Sequence, residues 1–294
     1  MILIKPSFEI IEQESGFEGV LKQIEKVGRT CYKSEDKIKE GSAKKFVDML
    51  TTNCHGAMLE HGTVYLYIEY TSPFANFELY NIGSDMNVRY SKNKFSRVNV
   101  VTEDHYKTKC YITTNYRVIV ENNWLDDLKY LCEPTKYHTK RITVKFVCDR
   151  GVSHEFVRHR VFSFAQESTR YCNYSKGKFG EELTFIQPLW LDEELLKSYG
   201  PYHTVTRSKS PESIFIANLN NAENDYMDLI ALGWKPQEAR DVLPNSLKTE
   251  LVMTGFIEDW KHFFELRCDT AAHPQARELA VPLQSWFKEN NLIN

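Results

Sequence analysis

Residues Arg158 to Tyr171 read RHRVFSFAQESTRY and place three arginines, a histidine, two serines, a glutamine and a glutamate within fourteen positions. Guanidinium forks grip phosphate oxygens in pairs, and serine hydroxyls with backbone N–H groups complete an anion cradle. This stretch therefore points to a nucleotide phosphate. The plainer reading is a solvated basic turn tied down by Glu155 and Glu167, because surface Arg–Glu pairs are common and contribute little. Two further blocks carry similar residue types. They are His55-x-x-x-x-Glu60-His61 upstream, and Glu238-Ala239-Arg240-x-x-Leu243-Pro244 with His262-Phe263-Phe264-x-Leu266-Arg267 downstream.

Two other classes of function compete. His55, His61, His154 and His159 with Glu60 and Glu155 admit a metal site, but no H-E-x-x-H occurs, and His159 lies between two arginines that repel a cation. A nucleic-acid-binding module is the alternative, because Phe162, Phe164, Tyr171 and Tyr174 interleave with the arginines as in single-strand binders. A net charge of −3 and the shortness of the basic run argue against it. Taken alone, His262 reads as a satisfied core histidine, and Trp260, Phe263 and Phe264 as a core stripe.

In chain order, RHR followed by seven residues and Ser168, with Arg170 and Tyr171 directly after and the other two blocks on either side, resembles the flavin-dependent thymidylate synthases. The resemblance spans residues 55 to 277. It implies reductive methylation of dUMP to dTMP, with methylene-tetrahydrofolate as carbon donor and NADPH as reductant through FAD. It also implies a homotetramer with active sites at subunit junctions; from the spacing, charge and hydropathy, no metal and neither nucleic acid nor membrane as partner are expected. By the same resemblance the dUMP contacts fall to Glu155, Arg158, Gln166, Ser168, Arg170, Arg240 and Arg267. The FAD contacts fall to His55, Ala57, Glu60, Arg158, His159, Arg160, Gln166 and His262. Arg267 matches the arginine set against the uracil ring and is the candidate catalytic residue. The chain departs from the family pattern at Ala57, usually Ser or Thr, and at Gln166, often acidic. It departs again at Phe256 and Glu258, where some members have Asn and Arg. Ser168 is assigned hydrogen bonding rather than nucleophilic attack, since the nearest histidine, His159, is flanked by two cations that depress its basicity.

These residues need elements to position them. A chain of 294 residues, 42% hydrophobic and 26% charged, has the composition of a globular protein able to bury a substantial core. No apolar run reaches the ~20 residues of a membrane span, and the start lacks a basic segment followed by an apolar one, so a cytoplasmic location is expected. Seven scattered cysteines without a C-x-x-C pair read as reduced thiols, mostly in the core. Without repeats or linkers, the simplest organisation is one domain, 1–294, with a peripheral insertion at about 72–138.

The periodicity predicts a helix over 17–28, with Val20, Leu21, Ile24 and Val27 inward and Gly28 as its stop. A second helix is predicted from Ser42, with Phe46, Met49 and Leu50 on its apolar side. Strands are predicted at 64–70 and 142–146, with the insertion between these paired strands, and further at 111–120; a short helix is predicted near 124–131. Ser153 reads as the N-cap of a helix through Val157. Pro236 opens a helix that Pro244 ends, and a longer helix is predicted to carry Leu247, Leu251, Trp260, Phe263 and Phe264 as far as Pro274. Ala271 and Ala272 read as small residues permitting close helix approach. The fold class is α+β, a small antiparallel sheet packed with helices.

Overall fold

A strand whose two faces are both covered needs apolar or paired side chains at every position, and one segment of this chain meets that demand: Lys248 to Phe256, KTELVMTGF. In the computed structural model, which describes residues 1–103, 107–177, 180, 182–192, 194, 196, 202 and 207–294, this segment is a central strand. In chain order the elements are β1 (Ile2–Ile4), β2 (Ser7–Ile11), α1 (Gly16–Tyr32), α2 (Ser42–Thr52), α3 (Gly56–Leu59) and β3 (Thr63–Thr71). Then come α4 (Phe77–Lys92), β4 (Arg97–Glu103), β5 (Lys107–Asn115), α5 (Tyr116–Glu121), β6 (Arg141–Asp149), α6 (Arg150–Phe156) and β7 (Ser163–Gln166). The rest are β8 (Thr184–Ile186), α7 (Pro211–Ala231), α8 (Pro236–Ala239), β9 (Lys248–Phe256), α9 (Ile257–Arg267) and α10 (Pro274–Glu289).

The main sheet is antiparallel in the order β2-β6-β9-β7, with Val144 opposite Met253 and Phe164 opposite the same residue from the other side. One face carries Val144, Phe146, Leu251 and Met253 against α6, α9 and α10. The other presents Ala165 and Val252 to Val27 of α1. A second antiparallel sheet, β3-β5-β4, packs Val64, Leu66, Ile68, Cys110 and Ile112 with apolar residues of α1, α2 and α4. Its opposite face pairs Tyr67 with Tyr111, ring centres 5.1 Å apart. β1 and β8 form a short parallel pair. The arrangement is the expected α+β fold.

Several expectations change. α1 runs four residues past Gly28 and ends where Lys33 adopts φ 46°. Gly28 instead makes room for α2, since a Cβ there would lie 2.7 Å from the Phe46 ring. Met49 is exposed, and Val47 takes the inward position beside Phe46 and Leu50. The strand predicted over 111–120 is β5 only as far as Asn115, whose side chain caps α5 by accepting the Val118 N–H at 3.1 Å. Near 124–131 lies a 3-10 helix, Leu125–Tyr130. Leu247 and Leu251 belong to a turn and to β9 rather than to a long helix, because an unbroken apolar run fits a doubly covered strand as well as a buried helix. Ala271 and Ala272 lie in the turn between α9 and α10.

The strands at 64–70 and 142–146 are not partners: β3 pairs with β5, and β6 with β2 and β9. The segment over 72–138, of which 104–106 lie outside the described residues, shares a core with α1 and α2 through Met86, Tyr90, Ile112 and Ile119 rather than standing at the periphery.

Candidate functional site

Asp149 ends β6 and caps α6, accepting the Val152 N–H at 2.8 Å, while Gln275 donates to its other oxygen at 2.9 Å. The expected cap, Ser153, is buried inside α6; its hydroxyl donates to the Arg150 carbonyl at 2.8 Å and accepts from the Gln166 amide at 2.9 Å. Gln166 also donates to Thr249 at 3.2 Å, which ties β7 to β9 at this point. α6 is short, and Arg158-His159-Arg160 turns directly after it.

The turn is held from both sides by rings. Phe156 packs edge-on to Phe146 and Phe263, each with centroids 5.0 Å apart, and Phe162 packs edge-on to Trp260 at 4.7 Å. Gly255 on β9 makes the Phe162 placement possible, since a Cβ there would lie 2.5 Å from that ring. With its neighbours anchored, the turn directs Arg158 and Arg160 outward and buries His159 against Phe263, 5.1 Å between centroids. The predicted core stripe Trp260, Phe263 and Phe264 is buried, as its spacing implied.

Arg267, the last residue of α9, reaches back to this turn. Its Nε donates to His159 Nε2 at 3.0 Å, Nη1 to the Glu155 carboxylate at 2.8 Å, and Nη2 to the Glu155 carbonyl at 2.7 Å. Burial, with Arg267 and then His262 adding to it, lowers the His159 pKa to about 4. His159 is therefore neutral, accepting at Nε2 and carrying its proton on Nδ1. The depressed basicity expected from the sequence is present, but its causes are burial and Arg267 rather than the flanking arginines. His262 is exposed, 6.2 Å from His159 between ring centres and 3.2 Å from Glu265, so it is not a core histidine.

The carboxylates expected to tie down the basic turn are engaged elsewhere. Glu155 holds Arg267, and buried Glu167 holds Lys248 at 2.8 Å and accepts from the Tyr174 hydroxyl at 3.0 Å. Lys248 also meets Glu250 at 2.7 Å, and Lys33 meets Glu250 at 2.6 Å. Burial opposes ionisation of Glu250, yet the two lysines outweigh it and hold its pKa down at about 2. Arg158, Arg160 and Arg170 are exposed, and none forms an ion pair with a carboxylate among the described residues. Ser168 donates its N–H to the Cys31 carbonyl at 3.1 Å and accepts the Arg170 N–H on its hydroxyl at 3.3 Å.

The flavin-side candidates divide. Glu60 and Arg160 line one cavity of about 480 Å³ beside Phe256 and Ser163. Glu60 meets Arg117 at 2.6 Å. His55 and Ala57 are exposed at the start of α3, and Arg240 is exposed on the 3-10 turn Arg240–Val242 with Asp241 at 4.0 Å. Thus the structure joins Glu155, His159, His262 and Arg267 in one network and Glu60 with Arg160 in one cavity. Among the described residues no hydrogen bond or ion pair joins Ser168, Arg170 or Arg240 to either group, and Ala57 meets Glu60 through its carbonyl, which accepts the Glu60 N–H at 3.3 Å. Sequence reasoning missed Arg141, Arg97 and Lys94, which share the Glu60 cavity. A single cation at the start of a strand carries no signal that separates it from a solvated one.

Among the described residues, no three of His, Cys, Asp and Glu converge as metal ligands would, and no helix is long and apolar enough to cross a membrane. His61 is fully buried with Nδ1 2.7 Å from Thr254 Oγ1, and burial lowers its pKa to about 3.

The family model described as thymidylate synthase complementing protein matches residues 128–290, more than half of the chain. The chain belongs to that family. The match takes in the basic turn, β9 and α9, and leaves out the His55 block. A flavin-dependent thymidylate synthase of Corynebacterium aurimucosum is 31% identical over 152 residues, 49% of this chain and 56% of that protein. Enzymes of the same description from Geobacter sulfurreducens, 28% identical over 139 residues, and Pyrococcus horikoshii, 31% over 133, cover 47% and 45% of this chain and 52% and 48% of their own lengths. The chain spans about half the length of the curated relatives it matches. A UMP/dUMP methylase, PolB from Streptomyces cacaoi, bound with 5-Br dUMP, aligns over 98% of this chain and 93% of its own at 17% identity with a TM-score of 0.41.

Proposed function

We propose that the chain is a flavin-dependent thymidylate synthase that methylates dUMP to dTMP, taking carbon from methylene-tetrahydrofolate and hydride from NADPH by way of FAD. The observation that carries this reading lies inside the segment the family matches: Arg267 is fixed by Glu155 and His159, while Arg158, Arg160 and Arg170 have no carboxylate partner among the described residues.

FAD, when bound, supplies a hydride carrier, which no side chain can provide. The chain's own residues do the rest. Arg158, Arg170 and Arg240 neutralise the dUMP phosphate, with Ser168 and Gln166 adding hydrogen bonds. Arg267 uses three of its five N–H groups on Glu155 and His159, which fixes its plane and leaves two N–H groups for the N3–C2=O edge of uracil. A donor pair fixed in advance stabilises negative charge as the ring is activated, at no cost in reorganisation. Glu155 thus acts through Arg267 as well as beside the nucleotide. His159 is a weak base whose acceptor nitrogen is already taken by Arg267, so it does not activate Ser168, and the serine serves as a hydrogen-bonding group. The flavin side falls to Glu60, Arg160 and His159, with His55, Ala57 and His262 on exposed surfaces that suit a subunit junction. A cavity lined by cations without ion partners, one of them Arg141 with a shielded Nε that lacks a hydrogen-bond partner, fits a ligand carrying phosphate groups.

The reading includes a homotetramer in the cytoplasm, which light scattering checks: full activity at a mass near the 34.4 kDa monomer would refute a shared site. The test of function is the visible spectrum of the protein with FAD, before and after dUMP. A flavin band that dUMP perturbs is expected; a protein that stays colourless and leaves flavin fluorescence unchanged would exclude the reading.

A further inference from the structure

The cavity shared by Glu60 and Arg160 lies where the segment between α4 and β4 meets the edge of the main sheet. Four cations line it: Lys94 from that segment, Arg97 at the start of β4, Arg141 from β6, and Arg160 from the basic turn. Only two carboxylates accompany them. Glu60 is engaged by Arg117 at 2.6 Å, and Asp259 accepts the Phe256 N–H at 3.0 Å, with burial raising its pKa. None of the four cations forms an ion pair with the described residues.

Arg97 is held in place without being neutralised. Its Nη1 donates to the Lys94 and Ser96 carbonyls at 3.2 and 3.0 Å, and its guanidinium carbon lies 4.4 Å from the centre of the Phe256 ring. Arg141 shares that ring at 5.5 Å and donates to the Glu60 carbonyl at 3.0 Å and Thr63 Oγ1 at 3.2 Å. Its Nε is shielded from solvent and has no hydrogen-bond partner. Two guanidinium groups held on one ring, one of them with an unmet donor, are costly unless an anion joins them. A single carboxylate would leave most of the charge unmet, whereas a diphosphate bridge carries two charges and several acceptor oxygens.

We propose that Lys94 and Arg97, with Arg141 and Arg160, bind the pyrophosphate bridge of the flavin dinucleotide. The segment between β3 and β6 is then a working wall of the cofactor site. This rests on the flavin reading above. It assigns a role to residues outside the family match, and it explains why Arg97 is aimed at Phe256 rather than at solvent.

The test uses the full chain and four probes: FAD, riboflavin, NADPH and inorganic pyrophosphate. FAD and riboflavin affinities are read by flavin fluorescence, NADPH by its own fluorescence, and pyrophosphate by the rise in Tm. The Lys94→Gln/Arg97→Gln double variant is expected to weaken FAD at least about tenfold, to leave riboflavin within about twofold, and to lose the Tm rise with pyrophosphate. Arg97→Lys should keep most of the FAD affinity, and Lys94→Gln alone, at an exposed position, serves if the double variant does not fold. Equal loss of FAD and riboflavin, or unchanged FAD affinity, would overturn the proposal. Loss of NADPH with FAD retained would overturn its assignment to the flavin. If the wild type binds no flavin, the functional reading fails. The pyrophosphate arm then decides the cation site alone, a Tm rise lost in the double variant upholding it and no rise refuting it.

Discussion

The sheet β2-β6-β9-β7 is covered on both faces, by α6, α9 and α10 on one side and α1 on the other, whereas β3-β5-β4 buries one face and lines the other with tyrosines. Their sequences differ accordingly. β9 is an unbroken run of buried positions after Lys248, while β3 alternates along its length. The double covering lets the first sheet hold Phe162, Trp260 and Phe263 rigidly, and those rings fix the direction of the Arg158–Arg160 turn. The half-covered sheet bears no part of that network, yet Arg97 of its strand β4 and Lys94 just before it supply two cations to the cavity beside the turn. The family match covers the first sheet's strands β6, β7 and β9 and stops before the second. The cavity therefore straddles the boundary of the family match.

The two sheets should differ most in what a truncated side chain costs in stability. Trp260→Ala in the doubly covered region should cost about 3–5 kcal/mol in denaturant unfolding. Tyr67→Ala on the open face of β3 should cost only about 1 kcal/mol, the value of a cross-strand pair. Equal losses would mean that the two sheets are not packed differently.

Acid should sharpen the same contrast. The folded pKa of His159, about 4, and of His61, about 3, lie below the unfolded value of 6.5, so below pH 6.5 the unfolded chain binds protons that the native chain refuses. Stability attributable to each is full above pH 6.5 and falls as pH drops toward the folded pKa, for His159 by on the order of 2–3 kcal/mol. Glu250, held at about 2, adds a further loss as pH falls below 4.5, the ordinary value of a glutamate carboxyl. Urea midpoints from pH 7 to pH 4 should decline less steeply in His159→Gln; an unchanged slope would show that His159 titrates normally.

A smaller effect is expected at the phosphate side. Arg170→Gln should weaken dUMP through its dissociation constant by about 1.5–3 kcal/mol, the worth of a charged hydrogen bond, with FAD binding kept. A fall in turnover at saturating dUMP would place Arg170 nearer the chemistry.

The smallest effects belong to the thiols. Burial raises the Cys31 and Cys132 pKa values to about 11 and Cys110 to about 12, and it also raises Cys148 and Cys268. Replacing Cys268 or Cys172 should cost no more than about 1–2 kcal/mol of packing and leave turnover intact. A folded, flavin-loaded variant without activity would reveal a nucleophile.

The alternating strands β3 and β6, the helix opened by Pro236 and the density of arginines at 158–170 were legible in the sequence, because alternation, proline and clustered charge each have one dominant physical meaning. β9 was not, since continuous apolar residues serve a buried helix equally well. In the sequence Gly28 looks like a helix stop, because its actual use, admitting Phe46, depends on a helix brought alongside it. Arg267 was picked out by resemblance, while its grip on Glu155 and His159 depends on α6 and α9 meeting at their ends. Arg97 and Arg141 converge on one ring from positions 44 residues apart in sequence, and no local pattern marks such a pair.

On the proposed function, Arg267, oriented by Glu155 and His159, acts on the uracil of dUMP. Arg267→Lys keeps the charge but loses the planar fork and the donors that fix it. The most direct measurement is dTMP formed per minute by wild type and variant, at saturating dUMP, methylene-tetrahydrofolate, NADPH and FAD. Wild type should form dTMP, and the variant, still binding FAD, should turn over at least about tenfold more slowly, a loss of about 1.4 kcal/mol or more. Equal rates would remove Arg267 from the chemistry, and no dTMP from the wild-type protein would contradict the function itself.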